Sequence, residues 1–188
     1  MKIARIVSNI LIVCSVLLLG HSLYLGLQRL IPNKLDFEIS EIKAERNGSI
    51  NQQPVLLSIP SLGIELPVIP AKLAENRWES TSKGVSYLVD SPVPGEVGNS
   101  ILYGHNWPNI LGKLRQIEPG SEIFINLSDG KRIKFVVEYT QDVYPSQSGV
   151  LDQTQDKRIT LYTCIGFLDS KRFVVTAIHR NYEVTLSL

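Results

Sequence analysis

The chain has 188 residues, a length that suits one domain with an additional segment better than several domains. Its 19 lysine and arginine residues nearly balance its 18 aspartate and glutamate residues, so the formal net charge is +1. Nucleic-acid binding through a basic field and an acidic solvating tail are both disfavoured by this balance. Any partner must therefore be recognised by a local site.

The N-terminal segment is long and apolar enough to cross a membrane. Between Arg5 and Arg29 lie 23 residues, most of them apolar, and a bilayer requires about 20 helical residues. No small-x-small cleavage site follows the apolar run, so residues 1–31 are predicted to be a cytoplasmic stub and an uncleaved anchor rather than a signal peptide. Because Lys2 precedes the span together with Arg5, the positive-inside rule places the N-terminus in the cytoplasm and the rest of the chain outside it.

Residues 32–53 are predicted to form a juxtamembrane stalk or linker. They carry mixed charge and end in a cluster of Gly, Ser, Asn and Gln residues. Leu35, Ile39 and Ile42 have helical spacing, which predicts a short amphipathic turn. A plain flexible linker is the alternative interpretation.

Residues 54–188 are predicted to be one mainly β domain, because short β-branched runs are separated by proline and glycine. The prolines of "VLLSIPSLGIELPVIP" predict edge strands or bends, since proline cannot donate to a central ladder. Asp129 and Gly130 lie between two alternating arms and predict a tight hairpin. Helical signal is limited to Leu111–Ile117 and, more weakly, to the segment 71–78. Seven or eight short strands with few helices favour a small antiparallel or mixed barrel, closed to protect its edges.

The chain has two cysteines, and only one of them lies in the predicted exported domain. Cys14 falls within the predicted span and is interpreted as a small apolar membrane residue. Cys164 therefore has no partner for an intramolecular disulfide, which points to an intermolecular disulfide or to a reactive thiol.

Cys164 ends a predicted strand, and seven residues connect it to the strand that begins near Arg172. If these strands are neighbours, they lie about 5 Å apart, within reach of a guanidinium group. Such a group favours the thiolate and can donate hydrogen bonds to an oxyanion. The alternative is a core cysteine near a surface arginine, and spacing alone leaves both interpretations open.

A cysteine nucleophile usually needs a group that moves protons, and the chain has three histidines. His21 lies in the predicted anchor and is interpreted as an interfacial polar residue. His179 lies late in a strand and is interpreted as structural or solvent-facing. His105 follows a strand that ends at Gly104 and begins a loop, a place where a general acid or base is often found.

No cofactor is predicted. The sequence has no zinc-type ligand spacing, no EF-hand loop and no glycine-rich phosphate loop. Acidic residues such as Glu65, Glu75, Glu79 and Glu96 could line a calcium site, but they are more simply solvated charges, so calcium activation is not indicated.

Three ordered motifs resemble those of the sortase family: "TLYTC" (160–164), "RFVVTA" (172–177) and "GNSILYGH" (98–105). The resemblance covers residues 54–180. It implies a closed sortase-type β-barrel of about eight strands with one or two short helices, preceded by a transmembrane helix. It also implies a single-pass protein of the cell membrane whose catalytic domain lies on the extracytoplasmic side.

The resemblance further implies cysteine transpeptidation. Cys164 would attack the Thr–Gly bond of an LPxTG-like sorting signal at the C-terminus of a surface protein and form a thioacyl-enzyme. An amine acceptor, such as a peptidoglycan precursor or another protein, would resolve it. His105 would protonate the leaving amine and later deprotonate the incoming one, Arg172 would hold substrate and stabilise the oxyanion, and Thr163 would contact substrate.

The chain also departs from the family pattern. The link between Cys164 and Arg172 is shorter than in class A and class B sortases, and the D-P-aromatic lid motif of pilus-building class C enzymes does not precede the barrel, so no subclass is assigned. Two alternatives stay open. One is a catalytically silent anchored barrel that binds extended peptides, and the other is a cysteine protease that only hydrolyses sorting signals.

Overall fold

The computed structural model describes residues 2–28, 35–38, 52–74 and 77–180. The chain divides into two compact units, residues 1–32 and residues 33–188. Ile39 and Ile42 of the predicted amphipathic turn lie outside the described residues.

The first unit contains one long helix, α1 (Lys2–Gln28). Within it, Arg5–Leu27 is a stretch of 23 residues with a mean hydropathy of 2.2, and none of its apolar window is buried in the protein. A helix of this length and composition fits a membrane anchor. Cys14 is exposed on this helix, as is His21.

The described residues of the second unit form ten strands. They are β1 (Pro54–Ile59), β2 (Ile64–Ala71), β3 (Leu73–Ala74), β4 (Arg77–Trp78), β5 (Val85–Leu88), β6 (Gly98–Gly104), β7 (Glu122–Leu127), β8 (Arg132–Val143), β9 (Lys157–Ile165) and β10 (Lys171–Ile178). Eight of them close a barrel in the order β1-β2-β5-β6-β9-β10-β8-β7, and β3 and β4 form a separate two-stranded sheet. The pairs β2–β5 and β6–β9 are parallel and the others antiparallel. The prediction of a mainly β, closed barrel of about eight strands is therefore confirmed.

The proline-rich segment was predicted to form edge strands or bends. The bend is confirmed, because a 3₁₀ turn at Pro60–Leu62 joins β1 to β2, but both strands belong to the closed barrel and neither is a free edge. Strand β2 pairs with β1 through Ile64–Pro67 and with β5 through Val68–Ala71. Each half of β2 thus has a single registered neighbour, and the missing proline N–H groups are tolerated because one side of the strand needs no ladder bond there.

The predicted hairpin is confirmed. Strands β7 and β8 pair from Glu122 opposite Val136 to Asn126 opposite Arg132. Gly130 in the connecting turn has φ 86°, a left-handed conformation that glycine adopts without steric cost.

Neither of the two segments with a helical signal forms an α-helix in its described residues. Leu111–Ile117 contains a single 3₁₀ turn, Leu114–Gln116. The segment 71–78 holds β3 and β4, with Leu73 opposite Trp78. Trp78 is 3% exposed, so burial of this indole against the barrel outweighs a weak local helix propensity.

The barrel has apolar side chains on both faces of β6, β9 and β10. Alternate residues such as Leu102, Leu161 and Val175 belong to the interior core. Their neighbours Tyr103, Tyr162 and others lie in a second apolar cluster on the outer face. Strands buried on both faces read as near-continuous apolar runs, as "ILY" and "RFVVTA" do.

Candidate active site

Cys164 and Arg172 lie directly opposite each other on paired strands. The antiparallel ladder of β9 and β10 places Cys164 in register with Arg172. Both side chains are buried, with exposures of 5% and 4%. The sequence analysis placed Cys164 within reach of Arg172 only if their strands are neighbours, and the pairing of β9 with β10 shows that they are.

The connection between the two strands is tight and strained. Leu168 and Asp169 have φ values of 52° and 60°, a region that non-glycine residues seldom occupy. Arg172 Nη1 donates hydrogen bonds to the carbonyl oxygens of Asp169, at 2.9 Å, and of Lys171, at 3.1 Å. The guanidinium group therefore helps to hold the loop that leads into its own strand.

Arg172 retains one unused donor. Its Nε is buried and has no hydrogen-bond partner within the described residues. Leaving a buried donor without an acceptor costs about 1–3 kcal/mol. Such a group is expected where a ligand is to supply the acceptor.

His105 is brought to the same end of the barrel by the parallel pairing of β6 and β9. Gly104 at the end of β6 is in register with Thr163, so the next residues along the two strands are His105 and Cys164. A side chain at Gly104 would press against Ile110 and Leu111, with a Cβ approach of 3.2–3.3 Å. Glycine thus allows the loop after His105 to fold back closely on the strand.

The ring of His105 lies flat on the indole of Trp107. The two ring centroids are 4.3 Å apart and the planes are inclined by 9°. The loop that holds Trp107 is compact, because the backbone N–H groups of Ile110 and Gly112 both donate to the Trp107 carbonyl oxygen at 2.9 Å. The sequence analysis did not identify Trp107; the signal was an aromatic residue two positions after the histidine.

Burial lowers the pKa of His105 below its usual value of 6.5, and the carboxylate of Asp169 opposes this effect. Desolvation disfavours the imidazolium form, whereas a nearby negative charge favours it. His105 is therefore neutral at neutral pH and ready to accept a proton.

Thr163 is fully buried, and its hydroxyl donates to the carbonyl oxygen of Gly104 at 2.7 Å. This bond ties the residue before Cys164 to the residue before His105. This hydrogen bond helps to fix the distance between β6 and β9 at the end of the barrel that holds the candidate site. The predicted contact of Thr163 with substrate stays a prediction.

His179 lies elsewhere. It follows β10, at the end of the strand opposite to Arg172, where its Nδ1 lies 2.8 Å from the carbonyl oxygen of Lys134. Its ring also contacts Phe135. This packing agrees with the structural interpretation of His179.

Aromatic residues cover the outer face beside Cys164. Tyr103 and Tyr162 are paired across β6 and β9, and their rings stack with 5.4 Å between centroids. The indole of Trp78 meets both rings edge-on. Burial raises the pKa of both tyrosines well above the usual value, so their hydroxyls remain protonated donors.

Among the described residues, no group of three or more His, Cys, Asp or Glu side chains could hold a metal ion. The groups that the structure does bring together suit covalent catalysis instead. They are a thiol, a neutral imidazole and a guanidinium group with an unused donor, which is a set suited to nucleophilic attack on a carbonyl group.

Comparisons with known proteins agree on the family. A family model for the sortase domain matches residues 57–179. The chain is 28% identical over 135 residues to sortase A of Bacillus anthracis, covering 69% of this chain and 61% of that protein. It is 27% identical over 126 residues to sortase D of Bacillus subtilis, covering 66% of this chain and 61% of that protein. The match thus spans less than two thirds of the length of either relative.

The fold also matches solved structures. The crystal structure of sortase A from Corynebacterium diphtheriae superposes with a TM-score of 0.60 at 23% sequence identity, covering 76% of this chain and 65% of that chain. At this identity the likeness concerns the fold alone.

Proposed function

This chain belongs to the sortase family, and we propose that it is a membrane-anchored cysteine transpeptidase acting on LPxTG-like sorting signals. The observation that carries the proposal is the pairing of Cys164 with Arg172 beside the strand that ends at His105. The long apolar helix α1 supports attachment to the membrane. The positive residues before it favour a cytoplasmic N-terminus and an extracytoplasmic barrel.

The first half of the reaction forms a thioacyl-enzyme. The sulfur of Cys164 attacks the carbonyl carbon of the Thr–Gly bond while its proton passes to the neutral imidazole of His105. Arg172 donates to the oxygen that becomes negative, and its unpartnered Nε supports this role. The imidazolium then gives its proton to the departing glycine amine, the C–N bond breaks, and the acyl group stays on the sulfur.

The second half transfers the acyl group to an amine. His105, neutral again, takes a proton from the incoming amine as its nitrogen attacks the thioester carbonyl. The carbon–sulfur bond breaks and the thiolate of Cys164 is reprotonated. An amine on a peptidoglycan precursor or on another protein fits this step, and the apolar cluster around Cys164 would limit competition from water.

The test uses the full chain in detergent micelles with a panel of LPxTG-type peptides and amine acceptors, followed by mass spectrometry. We expect a thioacyl adduct on Cys164 and an amide-linked product. Cys164→Ala should abolish both. His105→Ala and Arg172→Ala should each lower kcat/KM by about 10²-fold or more, as loss of a proton-transfer or oxyanion group usually does.

His179→Ala is the matched histidine control and should keep most of the activity, since His179 packs at the other end of β10. A damaging His179→Ala together with an active His105→Ala would contradict the assignment. Release of free acid in equal amounts with and without an amine would instead identify a protease. Absence of any adduct across the panel would refute the proposed function.

A further inference from the structure

Trp107 contacts His105 without being one of the reacting groups. Its indole lies parallel to the imidazole, with 4.3 Å between the ring centroids and 9° between the planes. A ring packed in this way cannot turn out of its plane without pushing into the indole. The stack therefore fixes the directions in which the two nitrogens of the His105 ring point.

The indole is itself held in place. Trp107 is partly buried and packs against the interior apolar core of the barrel. Pro108 follows it in the sequence, and the residue before a proline is restricted to extended backbone conformations. The surface on which His105 lies is thus backed by the packed interior of the barrel.

The backbone after His105 folds around the carbonyl group of Trp107. That oxygen accepts hydrogen bonds from the N–H groups of Ile110 and Gly112, both at 2.9 Å, and the carbonyl oxygen of His105 accepts one from Leu111 at 3.1 Å. A Cβ atom at position 112 would lie 2.7 Å from the Trp107 carbonyl oxygen and 2.9 Å from its carbon. Only glycine at this position lets the loop close without moving the backbone of Trp107.

We propose that Trp107 is a positioning residue for His105, and that Gly112 acts through Trp107 by allowing the loop to close. The role rests on the proposed function, in which His105 exchanges protons with the thiol and with the departing and incoming amines. Misplacement of such a group by about 1 Å can cost about 10²-fold in rate. Because Trp107 acts through His105 and not on peptide binding, its loss should lower kcat and leave KM nearly unchanged.

Steady-state transpeptidation by the full chain in detergent micelles at about pH 8 tests this role. We expect Trp107→Ala to lower kcat about 10- to 100-fold with KM within about twofold, and Trp107→Phe, which keeps a flat ring, to recover most of the loss. At this pH a histidine with the ordinary pKa of about 6.5 is only about 3% protonated. A change in the protonation of His105 therefore cannot produce a loss of this size.

Gly112→Ala should reproduce the loss in kcat with the indole still present. Gly149→Ala is the matched control, because Gly149 is exposed and the nearest atom to an added Cβ is Asp152 Oδ2 at 3.6 Å. Near-UV circular dichroism checks that each variant is folded. Wild-type kcat in both Trp107→Ala and Gly112→Ala, or a loss that appears only in KM, would overturn the proposal.

The fluorescence of Trp107 tests the stack without substrate. The chain has two tryptophans, so Trp78→Phe leaves Trp107 as the single indole. An imidazolium in contact with an indole quenches its emission by accepting an electron, and a neutral imidazole quenches far less. Emission should therefore fall as pH decreases from about 8 to about 5, the range in which histidine titrates. An equal fall after His105→Gln is added, or no fall at all, would refute the stack.

The thiol of Cys164 separates this proposal from the proposed function. Turnover with unchanged kcat in Trp107→Ala would uphold transpeptidation and overturn the positioning role. If no peptide forms a thioacyl adduct, transpeptidation is refuted, and alkylation of Cys164 by iodoacetamide in a Cys14→Ala background decides the role of Trp107. A positioned imidazole helps to remove the thiol proton, so His105→Ala and Trp107→Ala should both slow alkylation at about pH 8. Slowing by His105→Ala alone would overturn the proposal.

Discussion

The imidazole of His105 is shielded on one face by Trp107, at 4.3 Å between ring centroids. That contact removes water from the ring, and burial is the main reason why the pKa of His105 is lowered. The carboxylate of Asp169 acts in the opposite direction and raises the pKa of His105. Asp169 has a positive φ, and its backbone carbonyl oxygen accepts a hydrogen bond from Arg172. Proton affinity at this residue is thus set by an aromatic ring and a carboxylate that come from two different loops.

Trp107→Ala should therefore raise the pKa of His105 towards its usual value of about 6.5, while Trp107→Phe, which keeps a stacked ring, should change it less. The measurement is an NMR titration of the His105 ring protons in a Cys164→Ala background, which removes coupling to the thiol. An unchanged pKa in Trp107→Ala would show that other groups bury the ring.

The lowered pKa also predicts how stability depends on pH. Because the unfolded chain binds a proton at His105 more readily than the folded chain does, the free energy of unfolding should fall as pH decreases from about 6.5 towards the folded pKa. His105→Gln should reduce this slope, and His179→Gln is the control. Urea unfolding at a series of pH values measures it, and identical slopes in wild type and His105→Gln would contradict the assignment.

At the scale of elements, the loop between β8 and β9 is fastened to the outer face by one buried side chain. Asn99 of β6 donates from Nδ2 to the carbonyl oxygens of Val150 and Asp152, both at 3.2 Å, and its Oδ1 accepts from the hydroxyl of Thr160 at 2.8 Å. Leu151 of the same loop joins the outer apolar cluster. Asn99 thus fastens this loop to the outer face near the start of β6 and β9.

Asn99→Ala should lower the free energy of unfolding by about 2–3 kcal/mol, because it leaves buried polar groups without partners. Asn126→Ala, at a half-buried position of β7, is the control and should stay within about 0.5 kcal/mol. Urea unfolding followed by circular dichroism compares the two, and equal losses would mean that the network contributes nothing particular.

Elements with a local signal could be predicted from the sequence, and elements made by distant contacts could not. The hairpin at Asp129 and Gly130 is encoded by the turn itself. The segment 35–38, whose Leu35 and Phe37 are buried, carries only two apolar residues within a charged stretch. The residues that bury it are far along the chain, with Tyr162 lying 127 positions after Leu35 and Arg172 lying 136 after Asp36. Trp78 lies within a weak helical pattern but belongs to strand β4, because its indole packs against Tyr103 and Tyr162, which are far along the chain.

The same distinction applies to the candidate site. Cys164 and Arg172 are eight positions apart, so an antiparallel pair of strands was enough to bring them together. The approach of His105 depends on the parallel pair β6 and β9, which joins Gly104 to Thr163, 59 positions later. Parallel pairing leaves no turn signal in the sequence. The sequence could therefore predict that His105 lies at the end of a strand. It could not predict that Trp107 stacks on its ring or that Asp169 lies near it, because no local sequence pattern encodes those contacts.

At the scale of the whole molecule, the proposed reaction requires the barrel unit to lie outside the cytoplasm. Sorting signals and wall precursors are met outside the cytoplasm, so a barrel inside the cell would never reach them. Charge before the helix favours the required orientation, because Lys2 and Arg5 precede the span.

A single reporter cysteine tests this orientation in intact cells. Lys131 lies in the exposed turn between β7 and β8, and its ion pair with Asp129 is a surface contact of little energetic weight. In a Cys14→Ala, Cys164→Ala background, Lys131→Cys should react with a membrane-impermeant maleimide without permeabilisation. A cysteine inserted directly after Met1 should react only once the cells are opened. The opposite pattern would place the barrel in the cytoplasm, and the proposed substrates and acceptors would then be unreachable whatever the thiol chemistry of Cys164.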